Sequence, residues 1–352
     1  MPAFPIQFGF CVPIFAWPGG ALFRTPNLAQ LDVKAAMTLA QVADTLGFDS
    51  IWVADHLMLG HDQAILEGWT TLAALAGTTR HARLGIIHQA HFFRHPAVAA
   101  KMIATLDQIS GGRFIYFVDT GTRAGEHLAY GLKYPAAMED RMPDLLEGLE
   151  LTLALWQTRP DQPLTFDGRY YYVKDAVCMP HPITSPHPPI WFGEAHPLTL
   201  AACARYGQGW NTVPVTNEEL RRRLGALQAA CRAADRAYDK IEKSLETQIL
   251  IAPNRARLRA LLQAMLALTP PGAETPVDAD LQAFVDGRTD AYPHCLSDSW
   301  WVGTPDEITE QIQSCIDLGV THFLLWFMDA PQQEGMWLFV EQVIPNFRQE
   351  IA

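Results

Sequence analysis

The stretch VKAAMTLAQVADTLGFDSIWVAD (33 to 55) reads as a helix that leads directly into a short buried strand. Its first part spaces apolar side chains at helical intervals, and DSIWVAD (49 to 55) is a compact run of apolar, β-branched and aromatic residues. Upstream, IQFGFCVP (6 to 13) is strand-like and is followed by the Gly/Pro-rich loop AWPGGALFRTP. Downstream the alternation continues with a helix at about 69 to 79, the strand RLGIIHQ (83 to 89), the helix PAVAAKMIATLDQI and the strand RFIYFVD (113 to 119). Short strands of this kind suit a parallel sheet covered on both faces. After the helix RMPDLLEGLELTLALW (141 to 156), LTFDGRYYYV reads as a hairpin, because an Asp-Gly pair joins two aromatic runs.

PPIWFG (188 to 193), GWNTVP, SLETQILIAP (244 to 253) and VTHFLLWFMD (320 to 329) complete eight strands, separated by the helices LTLAACARYG, EELRRRLGALQAACRAAD (218 to 235) and PDEITEQIQSCIDLG. Thr304 is the expected N-cap of the last of these. Segments 158 to 187 and 269 to 299 break the rhythm and read as insertions into a single domain. Strict alternation permits a closed (β/α)₈ barrel or a doubly wound sheet. No GxGxxG follows the first strand, and polar residues gather at the strand ends, where a barrel places its working groups. The barrel is therefore the expected fold.

Composition narrows the function. With 49% hydrophobic and 18% charged residues among 352, the chain can bury a large core. A net charge of −12 without any Lys/Arg-rich run argues against a nucleic-acid partner. The six cysteines form no CxxC pair, so they are expected to be reduced core thiols and not a zinc site. No apolar run approaches the roughly 20 residues of a membrane span, and a cytoplasmic location is the default expectation.

The strand ends carry Asp55-His56, His88-Gln89 with His91, Asp119-Thr120-Gly121, Glu194, Asn211, Glu246, Gln248 and Trp326. One strand-end histidine is more often a packed structural residue than a catalyst, but many polar ends converging on one mouth point to a site. Glu246 and Gln248 alternate with Leu245, Thr247 and Ile249, so one strand face directs two polar groups inward.

Five segments in order, LGFDSIWVADH (46 to 56), RHPAVAAKMIATLDQISGGRF (94 to 114), PPIWFGEA (188 to 195), ARYGQGWN (204 to 211) and VGTPDEITEQI (302 to 312), resemble the bacterial luciferase-like, flavin-dependent oxidoreductases. The resemblance implies a (β/α)₈ barrel with insertions. It implies that His56 stands near the reactive edge of the flavin as a general acid/base or donor, with Asp55 orienting it. It further implies a non-prolyl cis peptide at Ile87-His88 in a bulge beneath the ring, and places Thr120, Gly121, Gly193, Glu194 and Ala195 at the cofactor's tail and phosphate, where a helix N-terminus favours an anion. Luciferase-type members have an Arg where Thr120 stands, and many relatives have two glycines where this chain has Gly193-Glu194. Arg141, or in its place Arg123, is the candidate cation. Phe15, Trp17, His91, Phe92, His127, His196 and Trp326 are expected to wall the substrate space together with Glu246 and Gln248.

FVDTG and GEA favour reduced FMN and a monooxygenase, with O₂ and a separate flavin reductase as partners. RHPAV, DHLMLG and ARYGQGWN also suit the alternative branch, which uses the deazaflavin F420 for hydride transfer. A barrel that binds flavin without turnover is the third reading. The resemblance also implies a homodimer formed through helices beside the second and third strands, where Met37, Leu72 and Leu75 lie.

Overall fold

The computed structural model describes residues 4–19, 28–269, 277–298 and 300–348. Eight parallel strands close on themselves: β1 (Gln7–Cys11), β2 (Ser50–Ala54), β3 (Arg83–Ile87), β4 (Phe114–Asp119), β5 (Ile190–Gly193), β6 (Gly209–Thr212), β7 (Glu242–Ile251) and β8 (His322–Phe327). Each pairs with its sequence neighbours, and β1 pairs with β8 through Gly9↔Leu324, which seals the cylinder. The doubly wound alternative is thereby excluded. The surrounding helices are α1 (Val33–Leu46), α2 (Gly68–Thr78), α3 (Pro96–Ser110), α4 (Met138–Leu155), α5 (Pro197–Tyr206), α6 (Asn217–Ala233), α7 (Pro305–Leu318) and α8 (Glu334–Gln342). Thr304 caps α7 as expected, with Glu307 returning its carboxylate to the Thr304 N–H at 2.9 Å.

The barrel interior is filled and is not a pore. Trp52 and Trp191 lie 5.3 Å apart with Phe117 against both. Large rings fit because small residues face them: a Cβ on Gly85 would meet Trp52 at 2.1 Å, and one on Gly209 would meet Trp191 at 2.2 Å. Below this layer a polar cluster closes the floor. His322, at the start of β8, bonds Ser50 Oγ at 2.7 Å and Glu242 at 2.9 Å, and Arg83 reaches Glu242 at 2.8 Å. Its members sit at the first residues of β2, β3, β7 and β8, so the floor ties the barrel shut at the end away from the site.

Both insertions adopt structure where they are described. Leu164–Asp167 and Tyr172–Ala176 form the expected antiparallel hairpin. Glu147 on α4 docks its tip by accepting the N–H groups of Arg169, Tyr170 and Tyr171 at 2.7–2.9 Å. The second insertion holds two short helices, Ala279–Val285 and His294–Ser297, and ends in a strand that the sequence does not announce, Trp300–Gly303. β7 is ten residues long, and β6 pairs only with its first part; Trp300–Gly303 takes up the remaining edge from Gln248 to Ile251. Part of the insertion expected over 269 to 299 lies outside the described residues.

Two packing expectations are corrected. Leu72 and Leu75 are fully buried within the chain, so they cannot form a face for a second subunit. Five cysteines are buried as expected, but Cys295 is exposed on the second insertion. Among the described residues no helix is long and apolar enough to cross a membrane.

Candidate functional site

A cavity of about 320 Å³ opens at the C-terminal ends of the strands, and every strand or the residues just beyond it contributes to its wall. Phe15 follows β1, His56 follows β2, Ile87 and His88 come from β3, and Thr122 and Arg123 follow β4. Glu194 follows β5, Val213 follows β6, Glu246 lies on β7 and Trp326 on β8. Only a closed cylinder brings residues so distant in sequence to one rim.

His56 is fixed by a carboxylate that the sequence does not single out. Glu126, buried in the short helix Ala124–Ala129, accepts from His56 Nδ1 at 2.7 Å. Its other oxygen accepts the N–H groups of Leu57 and Met58 at 2.8 and 3.2 Å. Burial alone would push the Glu126 carboxyl up, but the His56 bond, its charge and these two amides outweigh burial and hold it below the usual carboxylate range. An ionised Glu126 holds the proton on Nδ1 and leaves Nε2 as the basic nitrogen toward the cavity.

Asp55 does not orient His56. It receives a bidentate contact from Arg94 at 2.8 and 2.9 Å and accepts the Ala90 N–H at 3.0 Å. Neighbouring residues at a strand end point to opposite sides, so one of the Asp55-His56 pair faces the mouth and the other the packing behind it. Burial raises the Asp55 carboxyl even so, with Arg94 opposing.

The bulge expected at the end of β3 is present. The Ile87-His88 peptide is cis, and pairing with β4 resumes one residue out of register at Gln89↔Val118. The His88 ring packs 4.6 Å from Phe117, and its Nε2, which has no hydrogen-bond partner, stands 3.8 Å from a Glu246 oxygen. The other Glu246 oxygen accepts the Trp326 indole N–H at 2.8 Å, and Phe15 meets Trp326 edge-on at 5.9 Å. Alternation on β7 is as expected: Leu245 and Thr247 line a separate cavity outside the barrel with Trp300 and Trp301. Gln248 is buried on the Glu246 face but does not line the mouth.

The tail end of the site differs more from expectation. Gly121 has φ +78°, and a Cβ there would meet the His127 ring at 2.9 Å, so glycine is required. Its N–H is taken by Asp119 at 2.7 Å and its carbonyl by Tyr134 at 2.9 Å, while Thr120 is buried with its hydroxyl on Met138 sulfur. The next two residues, Thr122 and Arg123, are the ones that reach the cavity. Arg141 does not: it bonds the carbonyls of Pro135 and Ala136 and stacks 4.6 Å over Tyr134. Glu194 has φ +68°, donates its N–H to Asn211 at 3.0 Å and receives Arg223 at 2.9 Å, so its amide is not available to an anion. Gly193 leaves room for Phe117, and Ala195 leads to His196, the N-cap of α5.

Two histidines expected at the substrate wall are packed elsewhere. His91 is buried against α4 and the hairpin, bonding Tyr171 at 2.8 Å and Asp144 at 3.3 Å. His127 is fully buried between Phe93 and Tyr134, with Nδ1 bonded to the Arg123 carbonyl. Trp17 is half-buried and does not line the cavity.

Comparisons with known proteins bear on the fold and the family. An F420-dependent glucose-6-phosphate dehydrogenase of Beutenbergia cavernae is 30% identical over 337 residues, covering 92% of this chain and 95% of the relative. The solved structure of an F420-dependent secondary alcohol dehydrogenase with an F420-acetone adduct shares the fold at TM-score 0.75, 21% identity and coverage of 98% and 100%. A monooxygenase from Streptomyces bottropensis does so at TM-score 0.72, 24% identity and coverage of 97% and 100%. The profile of the luciferase-like monooxygenase family matches residues 6–322, and the chain belongs to that family.

Proposed function

We propose that the protein is an F420-dependent oxidoreductase that moves a hydride between the deazaflavin and the carbinol carbon of a small organic alcohol. The observation that carries this reading is the His56–Glu126 pair at a mouth built by all eight strands. Relatives of 26–30% identity that are F420-dependent dehydrogenases support it over the oxygenating reading that FVDTG and GEA favour.

The residues present fit a planar tricyclic group. The bulge at Ile87-His88 offers a platform, Phe15 and Trp326 an aromatic wall, and Thr122 with Arg123 polar contacts at the tail end. F420, when bound, supplies the carbon that accepts or returns the hydride. His56 Nε2 takes the substrate hydroxyl proton as the hydride leaves the same carbinol carbon, and the alcohol becomes a carbonyl. Glu126 stabilises the imidazolium so formed and fixes the ring's orientation. Apolar walls exclude water from the transfer. In this reading neither O₂ nor a flavin reductase is a partner.

The FMN-dependent monooxygenase is the second reading, supported by the same fold in monooxygenases and by the Arg123 cation at the mouth. Fluorescence titration separates the two. F420 is expected to bind at least about tenfold more tightly than FMN, a difference of about 1.4 kcal/mol. Tighter binding of FMN, with an oxygen-dependent absorbance change of its reduced form, would favour oxygenation. Retention of flavin without turnover by either cofactor would favour the non-catalytic reading.

A further inference from the structure

A second cavity, of about 300 Å³, lies outside the barrel and is nearly as large as the mouth. It arises where β7 outruns β6: the pairing edge passes from β6 to Trp300–Gly303, and the outward face of β7 lines the space that results. The two cavities share a partition but no residue. Val213 and Glu246 line the mouth, while their neighbours Pro214, Leu245 and Thr247 line the outer cavity. Trp300 and Trp301 line it as well, and they are 4% and 8% exposed. The indole N–H groups of Trp52, Trp156, Trp210 and Trp326 are all taken by protein oxygens. Among the described residues, no oxygen takes the indole N–H of Trp300 or Trp301. A buried indole N–H usually finds an acceptor, so two donors without one in a single cavity call for a partner. The walls around them are preformed: Asn217 donates to Ser314 at 3.0 Å, Gln311 to the Val302 carbonyl at 3.2 Å and Tyr292 to Glu307 at 2.8 Å. No Lys, Arg or His is among the described residues that line the cavity.

We propose that the outer cavity is a second ligand site, which takes an uncharged planar molecule whose carbonyl or ring-nitrogen acceptors meet the Trp300 and Trp301 indole N–H groups. Its volume is that of a small-molecule site, and its aromatic walls favour a flat ring. An acceptor supplies the hydrogen bonds that the two buried donors lack, in addition to the apolar surface it covers. An anion there would lose its water and meet no cation, so the neutral form is selected. The site goes beyond the hydride-transfer reading and does not rest on it, because none of its residues lines the mouth.

The test uses quinoline-2-carboxamide and quinoline-2-carboxylate, a neutral and an anionic molecule of nearly the same shape. Each is titrated into isotope-labelled protein, with and without F420, and the indole N–H resonances of Trp300 and Trp301 are followed by NMR. Trp300→Phe and Trp301→Phe assign the two signals, since each keeps an aromatic ring and removes the donor. The amide should shift both resonances and bind at least about tenfold more tightly than the carboxylate, as the cost of burying an unpaired charge requires. Each variant should weaken amide binding by about threefold to tenfold, the worth of one hydrogen bond. F420 should not displace the amide. Absence of a shift in both resonances, equal affinity for amide and carboxylate, unchanged affinity in both variants, or displacement by F420, which would put the amide in the mouth, would overturn the proposal. If a variant fails to fold, the shifts and the amide-to-carboxylate ratio in the wild type still decide.

Discussion

Replacing His56 with Ala is expected to lower kcat for F420-dependent alcohol oxidation by about a hundredfold to ten-thousandfold, the usual range for a positioned general base. In the proposed reading His56 acts on the proton of the substrate and not on the cofactor tail, so F420 affinity should be nearly unchanged. Glu126→Gln should lower kcat less, by about tenfold or more, since it removes the charge that stabilises the imidazolium but leaves the imidazole in place. Glu126 has its carboxyl held low by His56 and the Leu57 and Met58 amides against the effect of burial. It therefore stays ionised throughout the neutral range, and its replacement should change the pH profile on the acid side. Steady-state kinetics across pH, with F420 binding measured in parallel, check both variants. A His56→Ala protein with wild-type kcat would remove the proton-transfer role.

The second large effect lies at the other end of the barrel. Glu242→Ala should cost up to about 3 kcal/mol, because it takes the partner from the half-buried Arg83 guanidinium and from the fully buried His322. Burial would raise the Glu242 carboxyl, but His322 and Arg83 outweigh it and bring it down to about 2. A carboxyl lowered on folding stabilises above its unfolded value near 4.3, and that contribution is lost as pH falls toward 2. His322 moves the same way for a different reason: burial lowers it, with Glu242 opposing, so protonation below about 6.5 favours the unfolded chain. Wild-type stability should therefore decline from mildly acidic pH downward, and the Glu242→Ala variant should lose the lower part of this slope. Urea denaturation between pH 3 and 8 measures both; equal stability of the two proteins at pH 7 would show that the floor cluster contributes little.

The barrel is legible because its signals are local and repeated. VKAAMTLAQVADTL and SIWVA carry the periods of a helix and a buried strand, and the six other helices expected from the sequence show the same contrast with their neighbouring strands. Trp300–Gly303 escapes because four residues between two loops have no period to detect, and the strand exists only because β7 outruns β6. Site residues are legible where the strand order alone places them, as with His56, His88, Glu246 and Trp326. Glu126 is not, since its role depends on how a six-residue helix turns; His127 beside it attracts notice as a histidine yet is buried the other way. Arg141 and His91 show the same limit, for nothing in their neighbours indicates that Tyr134 and the hairpin claim them. Cofactor choice is the least legible, because both branches use one barrel and differ in a few loop residues.

In the proposed reading the eight strand ends place the cofactor's reactive carbon between the β3 bulge and His56. A crystal structure with oxidised F420 tests it most directly. The tricyclic ring should lie against Ile87-His88, with His56 Nε2 about 3 Å from an oxygen of bound alcohol or water over the reactive carbon, as a proton transfer requires. A ring bound away from the bulge, or with His56 on the far side from its reactive edge, would contradict the account.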